Sequence, residues 1–245
     1  MSYESDFLHD CYVLFHYGSA EDILSGSAFS EGDLPKGALD FPVATVEAID
    51  IEGPVDRALD VGCAVGRSAY ELSRSAGEVI GIDFSQSFVD AASAIGGSQP
   101  YAYHRHSEMH LREPMSAHLP AGVNPERVAF EQGDAMNLRS DLGQFDVVHA
   151  ANLLCRLPEP KKFLKRLADL VKPGGKFLIT TPATWLEEYT PSENMPSEAT
   201  LEFLKENLEM DFDLFSTEEI PFFIREHQRK FQLSTAQASL WVRKG

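Results

Sequence analysis

Cysteine is scarce in this chain: Cys11, Cys63 and Cys155 stand far apart and form no CxxC pair. That spacing supports neither a disulfide framework nor a zinc knuckle, and it fits a reducing cytoplasm. Basic residues are outnumbered, with 21 Lys and Arg against 38 Asp and Glu and a formal net charge of -17. Phosphate backbones call for a basic stripe, and the nearest approach to one is Arg225, Arg229 and Lys230. Nucleic acid and anionic membrane are therefore not expected partners. No apolar run approaches the length of a membrane span. Met1 to Asp10 lacks a basic segment leading into an apolar one, so no signal peptide is expected. What is present, 43% hydrophobic and 24% charged residues over 245 positions, suffices for one sizeable buried core.

Apolar residues from Phe7 to Phe15 recur at helical spacing and stop at Gly18, and a second helix is predicted from Phe41 to Ile49. From Val55 the pattern alternates strand and helix. Strands are predicted at 57–61, 78–83, 128–131, 145–149 and 176–180, with helices at 67–75, 85–95 and 160–171. Such alternation argues for an α/β doubly wound sheet covered on both faces. Residues 98–125 break the rhythm as a long excursion, and 183–215 read as a helical insertion after the fifth strand. The tail offers strands at 222–231 and 236–242, an antiparallel hairpin that completes seven strands. One domain is expected over 1–245. It comprises an N-terminal helical lid (1–50), a cofactor-binding core (55–182), the insertion (183–215) and C-terminal strands (216–245).

The densest chemical signal is Asp60-Val61-Gly62-Cys63-Ala64-Val65-Gly66, where a strand ends in an acid and a glycine turn opens a helix. Glycines permit positive φ and close ligand approach, and a helix N-terminus supplies unpaired amides. A dinucleotide site would need GxGxxG. Here the spacing differs, and an anionic Asp60 is a poor neighbour for a pyrophosphate. Asp60 suits instead the ammonium of an amino-acid cofactor. The turn resembles the first motif of class I methyltransferases, D-x-G-x-[GA]-x-G. In that family an acid at the end of the second strand accepts the ribose hydroxyls, as Asp83 would here, with Phe84 beside it. Asp134 and Ala135, after the third strand, correspond to the adenine-amino position, and Lys172-Pro173-Gly174-Gly175 leads into the fifth strand. The implied cofactor is S-adenosyl-L-methionine, leaving as S-adenosyl-L-homocysteine. Its expected contacts are Asp60, Gly62, Cys63, Ala64, Gly66, Asp83, Phe84, Asp134, Ala135 and Asn152.

Other stretches carry a narrower resemblance. These are Tyr3-Glu4-Ser5-Asp6, Tyr12 to Gly18, Ala151 to Leu157, Thr184 to Pro191 and Pro221 to His227. Together they resemble the mercaptohistidine N-methyltransferases of ovothiol biosynthesis, from Tyr3 to Trp241. Asn194-Met195-Pro196 departs from the family pattern, where tryptophan and glycines follow the asparagine. The resemblance implies methylation of a ring nitrogen of 5-mercaptohistidine (4-mercaptohistidine in the other numbering) by in-line displacement on the sulfonium methyl. Positioning would then supply most of the acceleration. It also implies functional association with an iron-dependent sulfoxide synthase.

Asn152, His16 and Tyr17 are the candidate catalytic residues, with His16 a candidate base. Tyr12, Arg156, Tyr189 and Arg225 are candidates for the small amino-acid substrate, the arginines because a guanidinium pairs bidentately with a carboxylate. Two plainer readings stand beside this one: a methyltransferase for another small metabolite, and a catalytically silent cofactor-binding subunit. His104, His106, His110 and His118 are expected on a solvated loop, with no metal, because zinc ligand sets are tighter and include cysteine or acid partners.

Overall fold

The computed structural model describes residues 5–245. The helices are α1 (Asp6–Tyr17), α2 (Ala20–Leu24), α3 (Phe41–Glu47), α4 (Arg67–Leu72), α5 (Gln86–Ile95), α6 (Pro160–Leu170) and α7 (Thr200–Leu208). The strands are β1 (Val55–Val61), β2 (Ala76–Asp83), β3 (Tyr101–Glu108), β4 (Leu111–Ala117), β5 (Val128–Gln132), β6 (Phe145–Ala151), β7 (Val171–Thr181), β8 (Phe212–His227) and β9 (Lys230–Arg243). Seven of them form one sheet in the order β5-β2-β1-β6-β7-β9-β8, parallel except at β9, which runs antiparallel to both of its neighbours.

Alternation along the strands explains the layering, because successive side chains point to opposite faces. Leu59 and Val61 of β1, Val148 and Ala150 of β6, and Phe177 and Ile179 of β7 pack in one cluster with Phe163, Leu167 and Phe203 from α6 and α7. Their neighbours Ala58, Val147 and Leu178 face the other way, against Phe41, Ala69 and Leu72 from α3 and α4. Each fully buried Leu, Val or Phe contributes about 1.5–3 kcal/mol of burial free energy. Helices α4 and α6 thus leave the adjacent strands β1 and β6 toward opposite faces. That divergence opens a crevice at their carboxyl ends, where ligands bind in open α/β sheets.

Three expectations need correction. Residues 101–117 are not a solvated loop but an antiparallel β3–β4 hairpin. His104 and His106 face Asp10 of α1, whose carboxylate accepts the His104 amide at 3.0 Å and lies 3.3 Å from His106 Nε2. Only His110 and His118 are exposed. Second, β8 begins at Phe212, inside the segment read as an insertion, and the hairpin turns after His227. The start of β8 is an outer edge rich in Asp, Glu, Ser and Thr, so it shows little apolar alternation; such charge is how edge strands avoid unwanted pairing. Third, Lys172 to Gly175 lie within β7, as extra residues between the Phe145–Val171 and Val147–Lys176 pairs.

Candidate functional site

A cavity of about 660 Å³ lies in the crevice. Its floor is the turn after β1, and its walls come from the ends of β2 and β6, the segment after β5, helices α1 and α3, and the segment after β7. Of the expected residues, Asp60, Gly62, Cys63, Ala64, Asp83, Phe84, Asp134, Ala135 and Asn152 line it together with Tyr12, His16, Arg156 and Tyr189.

The turn is built by hydrogen bonds to β2. The Gly62 and Cys63 amides donate to Ile82 O at 2.7 and 3.1 Å, the Ala64 amide donates to Asp83 Oδ2 at 2.8 Å, and the Gly66 amide donates to Cys63 O. Gly62, Ala64 and Gly66 all have positive φ, and Ala64 bears that strain without being glycine. With these four amides committed inside the protein, the turn is not the amide cradle that a pyrophosphate requires. What it offers is Asp60, 1% exposed, whose Oδ2 is buried without a hydrogen-bond partner among the described residues. A buried carboxylate oxygen left unsatisfied costs folding free energy, so it calls for a donor such as an ammonium group.

Asp83 accepts the Ser85 amide through Oδ1, and burial raises its carboxyl to about 6, with Asp60 adding repulsion. Asp134 caps the turn that follows it by accepting the Met136 amide at 2.8 Å. Phe84 is 76% exposed at the rim, a large apolar face with little protein over it. An orphaned acid oxygen, a second carboxylate at the end of β2 and an apolar rim fit an adenosyl amino acid. Asn152 adopts φ +53, and its Oδ1 accepts from Thr180 Oγ1 at 3.0 Å, which locks it at the end of β6. Arg156 Nη1 donates to Thr184 O at 2.9 Å, and its guanidinium lies 4.7 Å from the Tyr189 ring centroid.

Three candidates lie outside the lining, and a fourth lines the cavity but cannot serve as the base expected of it. Tyr17 does not line the cavity; its hydroxyl donates to Val65 O at 2.8 Å and braces the glycine turn from behind. Gly66 also stays behind the lining, and a Cβ there would meet Phe130 Cζ at 2.6 Å. Arg225 is 3% exposed and donates from Nη1 to Ile23 O and Ser25 O, closing the end of α2. Its alternation on β8 points it to α2, while the neighbouring Ile224 reaches the cavity. His16 lines the cavity with Nδ1 buried and unpartnered among the described residues. Burial, helped by Arg67, drives its imidazole down to about 3, so it is neutral at neutral pH and too weak a base for the role expected of it.

His149 was missed. Fully buried at the end of β6, its Nδ1 is 2.7 Å from Asp60 Oδ1 and its Nε2 is 3.0 Å from Thr45 Oγ1. The one signal was a histidine inside an otherwise apolar central strand, Val147-Val148-His149-Ala150.

Residues 35–232 match the family model described as a methyltransferase domain. The chain is 28% identical over 123 residues to the ubiquinone biosynthesis O-methyltransferase of Coxiella burnetii, covering 50% of this chain and 42% of that protein. It is 25% identical over 159 residues to the chloroplastic tocopherol O-methyltransferase of Arabidopsis thaliana, covering 64% of this chain and 39% of that one. The chain therefore spans less than half the length of these relatives. The N-methyltransferase NodS of Bradyrhizobium japonicum WM9, solved with S-adenosyl-L-homocysteine, shares the fold at TM-score 0.57 and 12% identity, over 94% of this chain and 100% of that one. A structure from work on converting a disulfide into a thioacetal in echinomycin biosynthesis superposes at TM-score 0.56 and 18% identity, over 83% and 81%. From its matched domain and its fold, the chain belongs to the class I S-adenosylmethionine-dependent methyltransferase family.

Proposed function

We propose that the chain transfers a methyl group from S-adenosylmethionine to a ring nitrogen of 5-mercaptohistidine. The observation that carries this reading is a single cavity that joins the acidic cofactor wall to Arg156, Tyr189 and the neutral His16. Bound S-adenosylmethionine supplies a methyl group already activated on a sulfonium. Asp60, Asp83 and Asp134 would hold it at its ammonium, ribose and adenine ends. Arg156 would take the carboxylate of the amino-acid substrate, with Tyr189 beneath the guanidinium. His16, as a neutral imidazole, would exchange a hydrogen bond with the thiol-bearing ring, and Asn152 would fix that ring against the end of β6. No strong base is required, because the lone pair of a neutral imidazole is itself the nucleophile. Phe15, Phe41 and Ile224, all in the lining, would exclude water and favour a near-attack geometry. The thiol-bearing substrate would be supplied by an iron-dependent sulfoxide synthase, in the cytoplasm.

A second reading, O-methylation of a phenolic ring, draws support from the named relatives and from the same apolar residues. Mass spectrometry after incubation with S-adenosylmethionine and 5-mercaptohistidine, histidine or a catechol separates the two. A gain of one methyl on the thiol compound, with little on histidine, supports the N-methyl reading. Methylation of the catechol alone overturns it. Methylation of none, with tight cofactor binding, overturns the thiohistidine reading and leaves a methyltransferase for another small metabolite and the silent cofactor-binding subunit, which a metabolite screen separates.

A further inference from the structure

Asp60, His149 and Thr45 form a buried relay in which each member is at most 1% exposed. The separations are 2.7 Å from Asp60 Oδ1 to His149 Nδ1 and 3.0 Å from His149 Nε2 to Thr45 Oγ1. Thr45 in turn approaches Pro42 O at 3.1 Å, within α3. The order acid, imidazole, hydroxyl is that of a hydrolytic triad. Thr45, however, is fully buried and absent from the cavity lining, so its hydroxyl is no nucleophile. The relay needs another purpose, and the asymmetry of Asp60 supplies one. Its Oδ1 is held by His149, while its Oδ2 is buried with no partner among the described residues, and Asp60 lines the cavity.

We propose that His149 is a positioning residue for the cofactor's ammonium group. Held at Nε2 by Thr45, it pins Asp60 through Oδ1 and leaves Oδ2, buried beside the cavity that Asp60 lines, as the acceptor for the ammonium. Without His149 neither carboxylate oxygen is held, so Oδ2 loses the fixed orientation that suits the ammonium. The relay also joins the cofactor wall to α3, whose Phe41 and Pro42 line the same cavity. The inference rests on the cofactor reading of the cavity and not on the identity of the methyl acceptor, so it fails or stands separately from the thiohistidine reading.

The test is calorimetric binding of S-adenosylhomocysteine and of its deamino analogue, which differ only in the amino group. The wild-type chain should prefer the amino compound by about 10- to 100-fold, the range of one hydrogen bond to a charged group. In His149→Phe that preference should collapse toward unity, with binding of the deamino analogue little changed. His149→Asn places an amide donor near the Nδ1 position and should restore most of the preference, whereas His149→Gln, reaching Thr45 instead, should not. Equal losses for both ligands, or an undiminished preference in His149→Phe, would overturn the proposal. If His149→Phe fails to fold, the comparison of His149→Asn with His149→Gln decides: equal preferences in the two refute the positioning role.

Discussion

Asp83 Oδ2 accepts the Ala64 amide at 2.8 Å, so the carboxylate at the end of β2 also holds the strained turn after β1. One side chain therefore joins the two strand ends that line the cavity. Its Oδ1 is anchored as well, by the Ser85 amide at 2.9 Å, which fixes the plane of the carboxylate before any ligand arrives. Such preorganisation lowers the ordering cost of binding.

If Asp83 holds the ribose as proposed, cofactor affinity should fall as the pH is lowered through about 6, because burial has raised Asp83 to that value and only the ionised carboxylate accepts two hydroxyls. The stability of the unliganded chain should move the other way. The folded protein binds this proton more tightly than the unfolded chain does, whose carboxyl lies near about 4. Asp83's contribution is thus complete below about 4 and is lost as the pH rises through about 6. Asp83→Asn should flatten both dependences. S-Adenosylhomocysteine titrations and urea melts from about pH 4 to 8, the span that brackets the unfolded and folded values, check the pair, and an Asn variant that keeps the wild-type slopes refutes it.

Gly66→Ala and Gly174→Ala share a positive φ but not an environment. A Cβ at Gly174 meets nothing within 4 Å, so only the left-handed backbone penalty of about 1–2 kcal/mol applies. At Gly66 it would meet Phe130 and Ala92 at 2.6 to 2.9 Å, adding about 1–3 kcal/mol of overpacking. Denaturant midpoints should rank wild type above Gly174→Ala above Gly66→Ala; the reverse order of the two variants would refute the packing account.

Arg225→Ala should act on stability and not on the substrate. The buried Ile23 carbonyl at the end of α2 loses its donor, at about 1–3 kcal/mol, and the part-buried Ser25 carbonyl must turn to water. At a temperature where the variant is folded, KM for the acceptor should match wild type. A raised KM with unchanged stability would return Arg225 to the substrate site.

Arg156→Ala should raise KM for an amino-acid acceptor by about 10-fold or more, the loss of a charge-assisted pair worth about 1.5–3 kcal/mol. Kd for S-adenosylhomocysteine should stay within about twofold of wild type. Arg156→Lys should recover only part of the loss, since an ammonium lacks the planar fork. Loss of cofactor binding alongside would place Arg156 on the cofactor instead.

Local signals made much of this protein legible in its sequence. The period-2 strands, the helix patterns and the turn from Asp60 to Gly66 each depend on neighbours within one turn or one strand. They therefore predicted the sheet, its strand-helix alternation and the acidic residues at the strand ends. Long-range packing was not legible. Nothing local says that Arg225 of β8 closes a helix 200 positions earlier, or that His149 and Thr45 meet across 104 positions. The polar first half of β8 was likewise hidden, since an edge strand carries little of the alternation that burial imposes. The sequence by itself determined the class of fold and the placement of acids at the strand ends, because strand and turn chemistry are local. Only the tertiary structure decided which titratable groups are buried together, because desolvation and pairing depend on where distant segments pack.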